Sequence, residues 1–143
     1  MNRCKAAAPR PTTRGSRRKP LASYRTLVNY KTAKFQPYYL QGETQSDISW
    51  VNLSYDEKTG DGFFLVKFRP GGCSIPHEHL KWEEFVVLEG SIEDCDGTVY
   101  KAGDCVSLKA GSRHVSSSKS GATTAVFIRG GFRNLTAREK VDS

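Results

Sequence analysis

The sequence predicts an all-β domain, built either as a sandwich or as a barrel of two wrapped sheets. Short apolar and β-branched runs follow one another from Ile48 to Ile128, and turn residues separate them roughly every 8–12 residues. Almost nothing in this region repeats with the period of a helix. A jelly roll, in which two sheets wrap over one core, protects most of its strand edges. A chain of 143 residues is long enough for one such domain with a real core.

The positive charge of the chain belongs to its N-terminal part. Residues 1–42 carry ten Lys and Arg and no acid, whereas residues 43–143 carry twelve Lys and Arg against all fifteen acids, a net charge of −3. A nucleic-acid-binding domain carries its positive charge on the folded surface, so no nucleic acid partner is expected. Residues 1–23 hold almost no large apolar side chains and are predicted to be disordered. The interpretations left open for them are an idle tail or misassigned start, an organelle transit peptide, and a basic arm for anionic lipid or nucleic acid.

Three segments are predicted along the chain. Residues 1–44 form the basic tail and an aromatic strap, residues 45–131 form the barrel, and residues 132–143 form a C-terminal tail. The strap, Tyr24 to Leu40, contains four tyrosines and a phenylalanine, and it is expected to lie against the barrel as a strap or an edge strand. No stretch approaches the ~20 apolar residues of a membrane span, so none is expected.

The four cysteines form no C-x-x-C pair, which favours free thiols in a reducing compartment. Cys73, Cys95 and Cys105 lie within or beside predicted strands, where a free cysteine is expected to pack as a small apolar residue. A cytoplasmic protein is therefore predicted. An organelle is the alternative if the N-terminus is a transit peptide.

The strands are predicted from alternation and from the turn residues that end them. In Ile48 to Tyr55, Val51 and Leu53 alternate with polar residues, as in a strand with one buried face. The first residues break this alternation because Ile48 and Trp50 fall on the opposite face, so that end is expected to be covered on both sides. The other strands are predicted at residues 63–69, around residues 77–79, at 83–89, through 108, from 114, and at 123–128.

Two predicted strands, Phe63–Phe68 and Phe85–Leu88, are apolar on both faces. One face of each fills the barrel, and the other face needs a cover. The aromatic strap or a second subunit would supply that cover, so a homodimer is expected.

Every histidine of the chain lies in one of two short segments. His77 and His79 are two residues apart, which places both imidazoles on one face of an extended strand. Glu83 follows four residues later, and His114 lies in the second segment, Gly103 to Ser118. Imidazole and carboxylate are ligands of divalent transition metals. We therefore predict one metal site, formed by His77, His79, Glu83 and His114.

The first segment resembles the first motif of the cupin family, G-x5-H-x-H-x3-4-E-x6-G. It matches every fixed position, from Gly71 to Gly90. Because the motif admits three or four residues before its glutamate, Glu84 is a rival ligand. The spacing of six residues to Gly90 favours Glu83.

The second segment resembles the second cupin motif, G-x5-P-x-G-x2-H-x3-N. It matches at Gly103, Gly111 and His114, with Lys109 in place of the proline and Ser118 in place of the asparagine. These two departures concern a turn and the end of a strand rather than metal ligation. The resemblance covers residues 48–130 and implies a double-stranded β-helix, the cupin jelly-roll barrel. Ser116 and Ser118 share the face of His114 and are expected to bind water or substrate, or to cap the mouth of the barrel.

Finer features resemble small single-domain cupins of two kinds, the C-terminal domain of ChrR-type anti-sigma factors and the dihydroxyacetophenone dioxygenases. These features are the run Arg69-Pro70-Gly71-Gly72, the Glu83-Glu84 pair, and the Gly111-to-His114 turn followed by serines. The resemblance implies a metal-dependent dioxygenase that acts on a small carbonyl or phenolic compound. It favours Fe²⁺ or Zn²⁺, and Mn²⁺ and Ni²⁺ are also compatible with these ligands. No catalytic acid or base is identified beyond the metal ligands.

Two other functions remain open. One is a zinc-binding sensory or regulatory cupin without turnover, and the other is a metal-dependent isomerase or lyase that acts on a sugar or keto acid. No helical zinc-binding domain is expected before the barrel, which counts against the binding of a sigma factor. Fold alone does not decide among these functions.

Overall fold

The computed structural model describes residues 17–40 and 43–143, so the prediction of disorder for residues 1–16 lies outside the described residues. A single short 3-10 helix, Leu21–Tyr24, is the helical element among them, and the remaining regular structure is β. The predicted all-β class is therefore confirmed. The strands are β1 (Gln36–Leu40), β2 (Glu43–Asn52), β3 (Gly62–Phe68), β4 (Gly72–Cys73), β5 (His77–His79), β6 (Glu83–Asp94), β7 (Val99–Lys101), β8 (Cys105–Leu108), β9 (Arg113–His114), β10 (Ser116–Ser118), β11 (Ala122–Ile128) and β12 (Phe132–Asn134).

The strands form two antiparallel sheets, as the jelly-roll prediction requires. The larger sheet has the order β1-β2-β3-β11-β6-β10-β4, and β7 and β8 also pair with β6. The smaller sheet has the order β12-β5-β9 and contains all three histidines. Neighbours in both sheets come from distant parts of the sequence, for example β3 beside β11. This pairing is typical of a double-stranded β-helix, and the chain has that fold.

Strand β6 connects the parts of the larger sheet. Its first half pairs with β8 and β11, and its second half, Ser91 to Asp94, pairs with β7 and β10. Gly90 lies at the change of partners with φ of +74°, and a Cβ there would lie 2.0 Å from the carbonyl oxygen of Gly121. Only glycine fits this close approach in a left-handed conformation, because any side chain would meet backbone atoms that have no room to move.

The core lies on the inner faces of β2, β3, β6 and β11. In β2 the residues that point inward are Ile48 and Trp50, which pair with Phe68 and Val66 across the sheet. Val51, which the sequence places on the buried face, lies instead on the outer face and is half-buried. The strand begins five residues earlier than predicted, at Glu43.

The aromatic strap contributes an edge strand. Its last residues form β1, which pairs with β2 in an antiparallel hairpin and ends the larger sheet. The paired strands thus begin at residue 36, before the predicted start of the barrel, and β12 lies after its predicted end at residue 131. The boundaries at residues 44/45 and 131/132 stay predictions.

The three cysteines among the described residues, Cys73, Cys95 and Cys105, are free and exposed. The sequence-based expectation that they pack as small apolar residues is therefore wrong, because each side chain faces away from the core. None of the helices in the described part of the chain is long and apolar enough to cross a bilayer.

Candidate metal centre

The three histidines lie side by side in the smaller sheet. His77 and His79 are the ends of β5, and His114 ends β9 directly opposite His77 in the antiparallel register. The alternation of side chains along β5 places His77 and His79 on one face, as predicted. His79 is fully buried, and His114 is nearly so.

The donor atoms of the three imidazoles converge. His79 Nε2 lies 2.9 Å from His114 Nε2, and His114 Nε2 lies 3.1 Å from His77 Nε2. One ligand atom from each histidine lies within 4.8 Å of the others. Nitrogen ligands at right angles around an ion, with bonds of about 2.1 Å, would lie about 3.0 Å apart. The spacing of these atoms therefore fits one small divalent ion.

The tautomers of two histidines support the same conclusion. His114 Nδ1 lies 3.1 Å from a carboxylate oxygen of Asp94, and His77 Nδ1 lies 2.7 Å from the carbonyl oxygen of Ile75. Both partners are acceptors, so each Nδ1 carries the proton and each neutral ring has a lone pair on Nε2. Two lone pairs that face each other at 3.1 Å repel unless a proton or a cation lies between them. Nδ1 of His79 has no partner among the described residues.

Burial keeps two of the imidazoles neutral. Desolvation, reinforced by the neighbouring His114, lowers the pKa of His77 to about 4. Desolvation and the two other histidines lower the pKa of His79 to about 3. Desolvation also acts on His114, but the hydrogen bond to Asp94 and the charge of Glu83 outweigh it and raise its pKa. A site that gathers neutral imidazoles beside carboxylates has the character of a cation site.

Glu83 lies at the edge of this cluster. Its Oε1 is 3.7 Å from His79 Nε2, and its side chain is 13% exposed. Burial raises the pKa of Glu83 to about 7, because a carboxylate that is removed from water without a compensating charge is destabilised. Glu84, the rival ligand, lies on the opposite face of β6 by strand alternation. Glu83 lines the same cavity as His77 and His114.

A hydrogen-bonded group behind His114 was not predicted from the sequence. This group is centred on Asp94, which is only 8% exposed. Besides its bond with His114, Asp94 accepts a hydrogen bond from the hydroxyl group of Ser116 at 2.5 Å and one from the hydroxyl group of Tyr100 at 3.1 Å. Burial would raise the pKa of Asp94, but the hydrogen bonds from His114 and Ser116 outweigh it and lower the pKa. Asp94 precedes an Asp-Gly hairpin, so it resembles a turn residue in sequence. Its shared parity with buried Ile92 was the available signal.

The predicted roles of two serines are resolved. Ser116 uses its hydroxyl group on Asp94, and Ser118 donates its hydroxyl hydrogen to the carbonyl oxygen of Ser91 at 2.6 Å. Both side chains are buried, and both hydroxyl groups form hydrogen bonds with other groups of the protein. They support the strands around His114.

A cavity opens beside the histidines, inside the barrel. Its empty space is about 660 Å³, including the part that opens to solvent. Most of its wall is apolar, and its polar lining includes His77, Glu83 and His114. The apolar wall includes Ile48, Phe64, Val66, Phe68, Phe85, Ile92 and Val126. The cavity therefore suits a small organic molecule that has an apolar part and a few polar atoms.

A double-stranded β-helix with three histidines gathered on its inner wall defines the cupin class of proteins. A family model described as the ChrR cupin-like domain matches residues 23–131. The chain belongs to this family, and the resemblance drawn from its two motifs is confirmed. The match begins within the N-terminal part and includes the aromatic strap.

Solved structures show the same fold at low sequence identity. An acetylacetone dioxygenase from Acinetobacter johnsonii is 13% identical, with a TM-score of 0.68 over 100% of this chain and 90% of that chain. An RmlC-like cupin from Ralstonia eutropha JMP134 is 18% identical, with a TM-score of 0.66 over 82% of this chain and 76% of that chain. The complex of Rhodobacter sphaeroides SigE with the anti-sigma factor ChrR contains a chain that is 15% identical, with a TM-score of 0.55 over 70% of this chain and 50% of that chain. A search of curated proteins gives no match.

Proposed function

We propose that this protein is a metal-dependent dioxygenase that acts on a small carbonyl or phenolic compound. The observation that carries the proposal is the convergence of three imidazole Nε2 atoms, at distances of 2.9 and 3.1 Å, beside a largely apolar cavity that His77 and His114 line. His77, His79 and His114 would hold the ion through Nε2, and Glu83 would complete the set with a carboxylate oxygen. Iron or zinc is favoured, and manganese and nickel also suit these donors.

A divalent ion in this position would supply Lewis-acid chemistry toward a substrate oxygen or toward O₂. The protein orients the ligands. Asp94 fixes the ring of His114, and the carbonyl group of Ile75 fixes the ring of His77. Such partners set the tautomer and the direction of the lone pair.

The cavity wall defines the class of substrate. Its lining has a polar part that includes His77, Glu83 and His114, and an apolar part that includes Phe64, Phe68 and Phe85. A compound with two neighbouring oxygens and an apolar or aryl substituent, such as a 1,3-diketone or a hydroxyaryl ketone, satisfies both ends. The same wall keeps bulk water away from the reacting carbons.

The test combines metal analysis with oxygen uptake, and it uses the adjacent glutamates as a matched pair. The full chain is loaded with Fe²⁺ without air and then supplied with O₂ and a panel of 1,3-diketones and hydroxyaryl ketones. Glu83→Gln should weaken iron binding by at least about tenfold. Mutation of a residue that only hydrogen-bonds to a metal ligand already lowers metal affinity by about 10–100-fold. Glu84→Gln, on the other face of β6, should leave binding and uptake as in the wild type. Equal loss in both variants, or iron retained after substitution of His77 and His114 by alanine, would refute the proposed site.

The family match favours a second candidate, a zinc-binding regulatory module without turnover. It rests on the ChrR cupin-like domain model and on the fold shared with the chain in the SigE–ChrR complex. In this role the ion is structural, and the partner is a protein rather than a substrate. Zinc that stays bound through purification, with no oxygen uptake by the iron-loaded protein, would select this candidate over the dioxygenase.

A further inference from the structure

The short loop between β4 and β5 carries the carbonyl group that orients His77. The loop consists of residues 74–76, and the carbonyl oxygen of Ile75 lies 2.7 Å from Nδ1 of His77. The position of this oxygen determines which nitrogen of the ring is protonated and where the lone pair on Nε2 points. Any contact that holds the backbone of Ile75 in place therefore also acts on the ring of His77.

Gln45 of β2 makes such a contact, although it lies outside both histidine segments. Its side-chain oxygen Oε1 accepts a hydrogen bond from the backbone nitrogen of Ile75 at 3.2 Å, across 30 positions of the sequence. Because a peptide N–H can only donate, the oxygen of the Gln45 amide faces Ile75. Pro76 restricts Ile75 to extended conformations, so the N–H and the carbonyl group of Ile75 keep a nearly fixed relation to each other. A bond at the N–H thus also positions the carbonyl group.

A β-bulge turns Gln45 toward the cavity. Ile48 of β2 points inward, and regular alternation would place Gln45, three residues before it, on the outer face. The register between β1 and β2 shifts at this place, because Pro37 pairs with Ser49 whereas Tyr38 pairs with Gln45. The shift adds an odd number of residues to β2, which reverses the alternation, and Gln45 and Ile48 line the same cavity.

The backbone is held on both sides of this hydrogen bond. Asp47, within the bulge, accepts a hydrogen bond on its carbonyl oxygen from the backbone nitrogen of Arg69 at 3.1 Å, and its carboxylate pairs with the Arg69 guanidinium group. In the loop, the backbone nitrogen of Ser74 donates to the carbonyl oxygen of Ser116 at 2.8 Å, and the Ser74 hydroxyl oxygen accepts from the Ser116 nitrogen at 3.0 Å. The hydrogen bond therefore joins two segments that their own contacts already fix.

We propose that Gln45 is a positioning residue for His77, which holds the Ile75 carbonyl group where it keeps the His77 proton on Nδ1 and leaves Nε2 free to bind an ion. The effect on metal affinity rests on the proposed function, because it takes His77 to be a ligand. The effect on the tautomer does not, since it belongs to the protein without metal. Gln45 acts through one neutral hydrogen bond, so its effect on metal affinity is limited to the worth of that bond.

The test changes the acceptor and keeps the length of the side chain. Gln45→Met removes the acceptor, Gln45→Glu keeps an acceptor oxygen, and Gln36→Met makes the first change at an exposed position of β1. In each full-length protein without metal, NMR correlation of the ring nitrogens and hydrogens at neutral pH reports the tautomer of His77. The wild type, Gln45→Glu and Gln36→Met should show the proton on Nδ1, and Gln45→Met should show a mixture of the two tautomers.

Two further measurements accompany the tautomer. Exchange of the Ile75 amide hydrogen should be about 2–10-fold faster in Gln45→Met, the net effect of one lost neutral hydrogen bond. Competition for Co²⁺ against a chelator of known affinity should show binding weakened by the same 2–10-fold or so in Gln45→Met. Gln36→Met and Gln45→Glu should bind cobalt at least as tightly as the wild type. His114, held by Asp94, should keep its tautomer in all four proteins.

The outcomes separate this proposal from the proposed function. A single Nδ1-protonated tautomer of His77 in Gln45→Met overturns the role of Gln45, and so does a Gln45→Glu variant that behaves like Gln45→Met. A His114 tautomer that changes together with that of His77 shows a general loss of structure and also overturns it. A changed His77 tautomer with unchanged cobalt affinity supports the role of Gln45 and overturns His77 as a ligand. A wild type that binds no cobalt overturns the metal site, and the tautomer of His77 then decides the role of Gln45.

Discussion

Asp94 shows how one residue behind a ligand determines what the ligand can do. Its carboxylate fixes the proton of His114 on Nδ1, and Ser116 and Tyr100 in turn fix the carboxylate. Without that acceptor, His114 could carry its proton on Nε2 and would present no lone pair to the cluster. If His114 is a metal ligand, as proposed, its affinity depends on a residue outside the ligand set.

Asp94→Asn is expected to weaken metal binding by about 10–100-fold, because an amide has one acceptor oxygen and no charge, and so cannot accept the hydrogen bonds of His114, Ser116 and Tyr100 as the carboxylate does. The measurement is competition for Co²⁺ against a chelator of known affinity. The visible spectrum of the bound cobalt should also change, since the orientation of His114 is no longer fixed.

Asp96→Asn is the matched control. Asp96 lies two residues away in an exposed hairpin turn, where its carboxylate accepts a hydrogen bond from the backbone nitrogen of Thr98. This variant should bind cobalt with wild-type affinity and spectrum. If Asp94→Asn matched it in both respects, His114 would be held by its strand alone.

At the scale of elements, the smaller sheet is held by an ion-pair network. Arg133 of β12 bonds to Glu78 of β5 at 2.5 Å and to Glu139 of the C-terminal segment at 2.7 Å, and Arg113 of β9 bonds to Glu78 at 3.0 Å. Backbone hydrogen bonds join Leu135 to Pro76 and Asp142 to Arg113 in the same region. The C-terminal segment thus fastens the two strands that carry all three histidines.

This network predicts a pH-dependent release of the C-terminal segment. Hydrogen bonds from Arg133 and from the backbone of Thr136 lower the pKa of Glu139 from its ordinary value of 4.5 to about 2. A carboxyl group with a lowered pKa stabilises the folded form above its ordinary value, and that contribution is lost as the pH falls toward 2. NMR titration of the Glu139 carboxyl carbon should give a midpoint near 2, and exchange of the Leu135 and Asp142 amide hydrogens should quicken over the same range.

Arg133→Gln should return the midpoint of Glu139 toward 4.5 and speed exchange of these amides already at neutral pH. Arg129→Gln, an exposed arginine whose guanidinium group lies over the ring of Phe127, should change neither. A wild-type midpoint near 4.5 would show that the pair does not persist in solution.

The elements differ in how far the sequence could predict them. His77, His79 and His114 were predictable because the two motifs fix the spacing of residues within single strands and turns. The place of Glu83 beside them follows from the same local pattern. Asp94 was not predicted as a site residue, because its role depends on the pairing between β6 and β10, which no local pattern contains. The faces of β2 were assigned wrongly for a related reason: Val51 and Trp50 are both apolar, and only the neighbouring strand β3 decides which of them faces the core.

At the scale of the whole molecule, the candidate site joins segments that are far apart in sequence. Its proposed ligands come from β5, from the start of β6 and from β9. An ion bound to all three can exist only when the barrel is closed, because the unfolded chain does not hold these side chains together. Metal binding should therefore be linked to folding.

Loading the site is expected to raise the melting temperature. At an ion concentration about 100 times the dissociation constant, binding adds about 2.7 kcal/mol, which corresponds to roughly 10 °C for a domain of this size. The measurement is calorimetry of the wild type with added Co²⁺ and after removal of metal with EDTA. His77→Ala should show no such shift, whereas Glu84→Gln, whose side chain faces away from the histidines, should keep all of it.

The size of the shift also distinguishes this site from adventitious binding at the surface. An ion held by one or two exposed side chains binds the unfolded chain almost as well, so it moves the melting temperature little. The three histidines supply all the imidazoles of the chain, and two of them are buried, so the unfolded chain has no other site of this kind. The prediction fails if Co²⁺ leaves the melting temperature of the wild type unchanged, as it should leave that of His77→Ala. The imidazoles would then not act together on one ion. The gathering of three imidazoles in the interior of the protein would then have to be stabilised by the barrel alone.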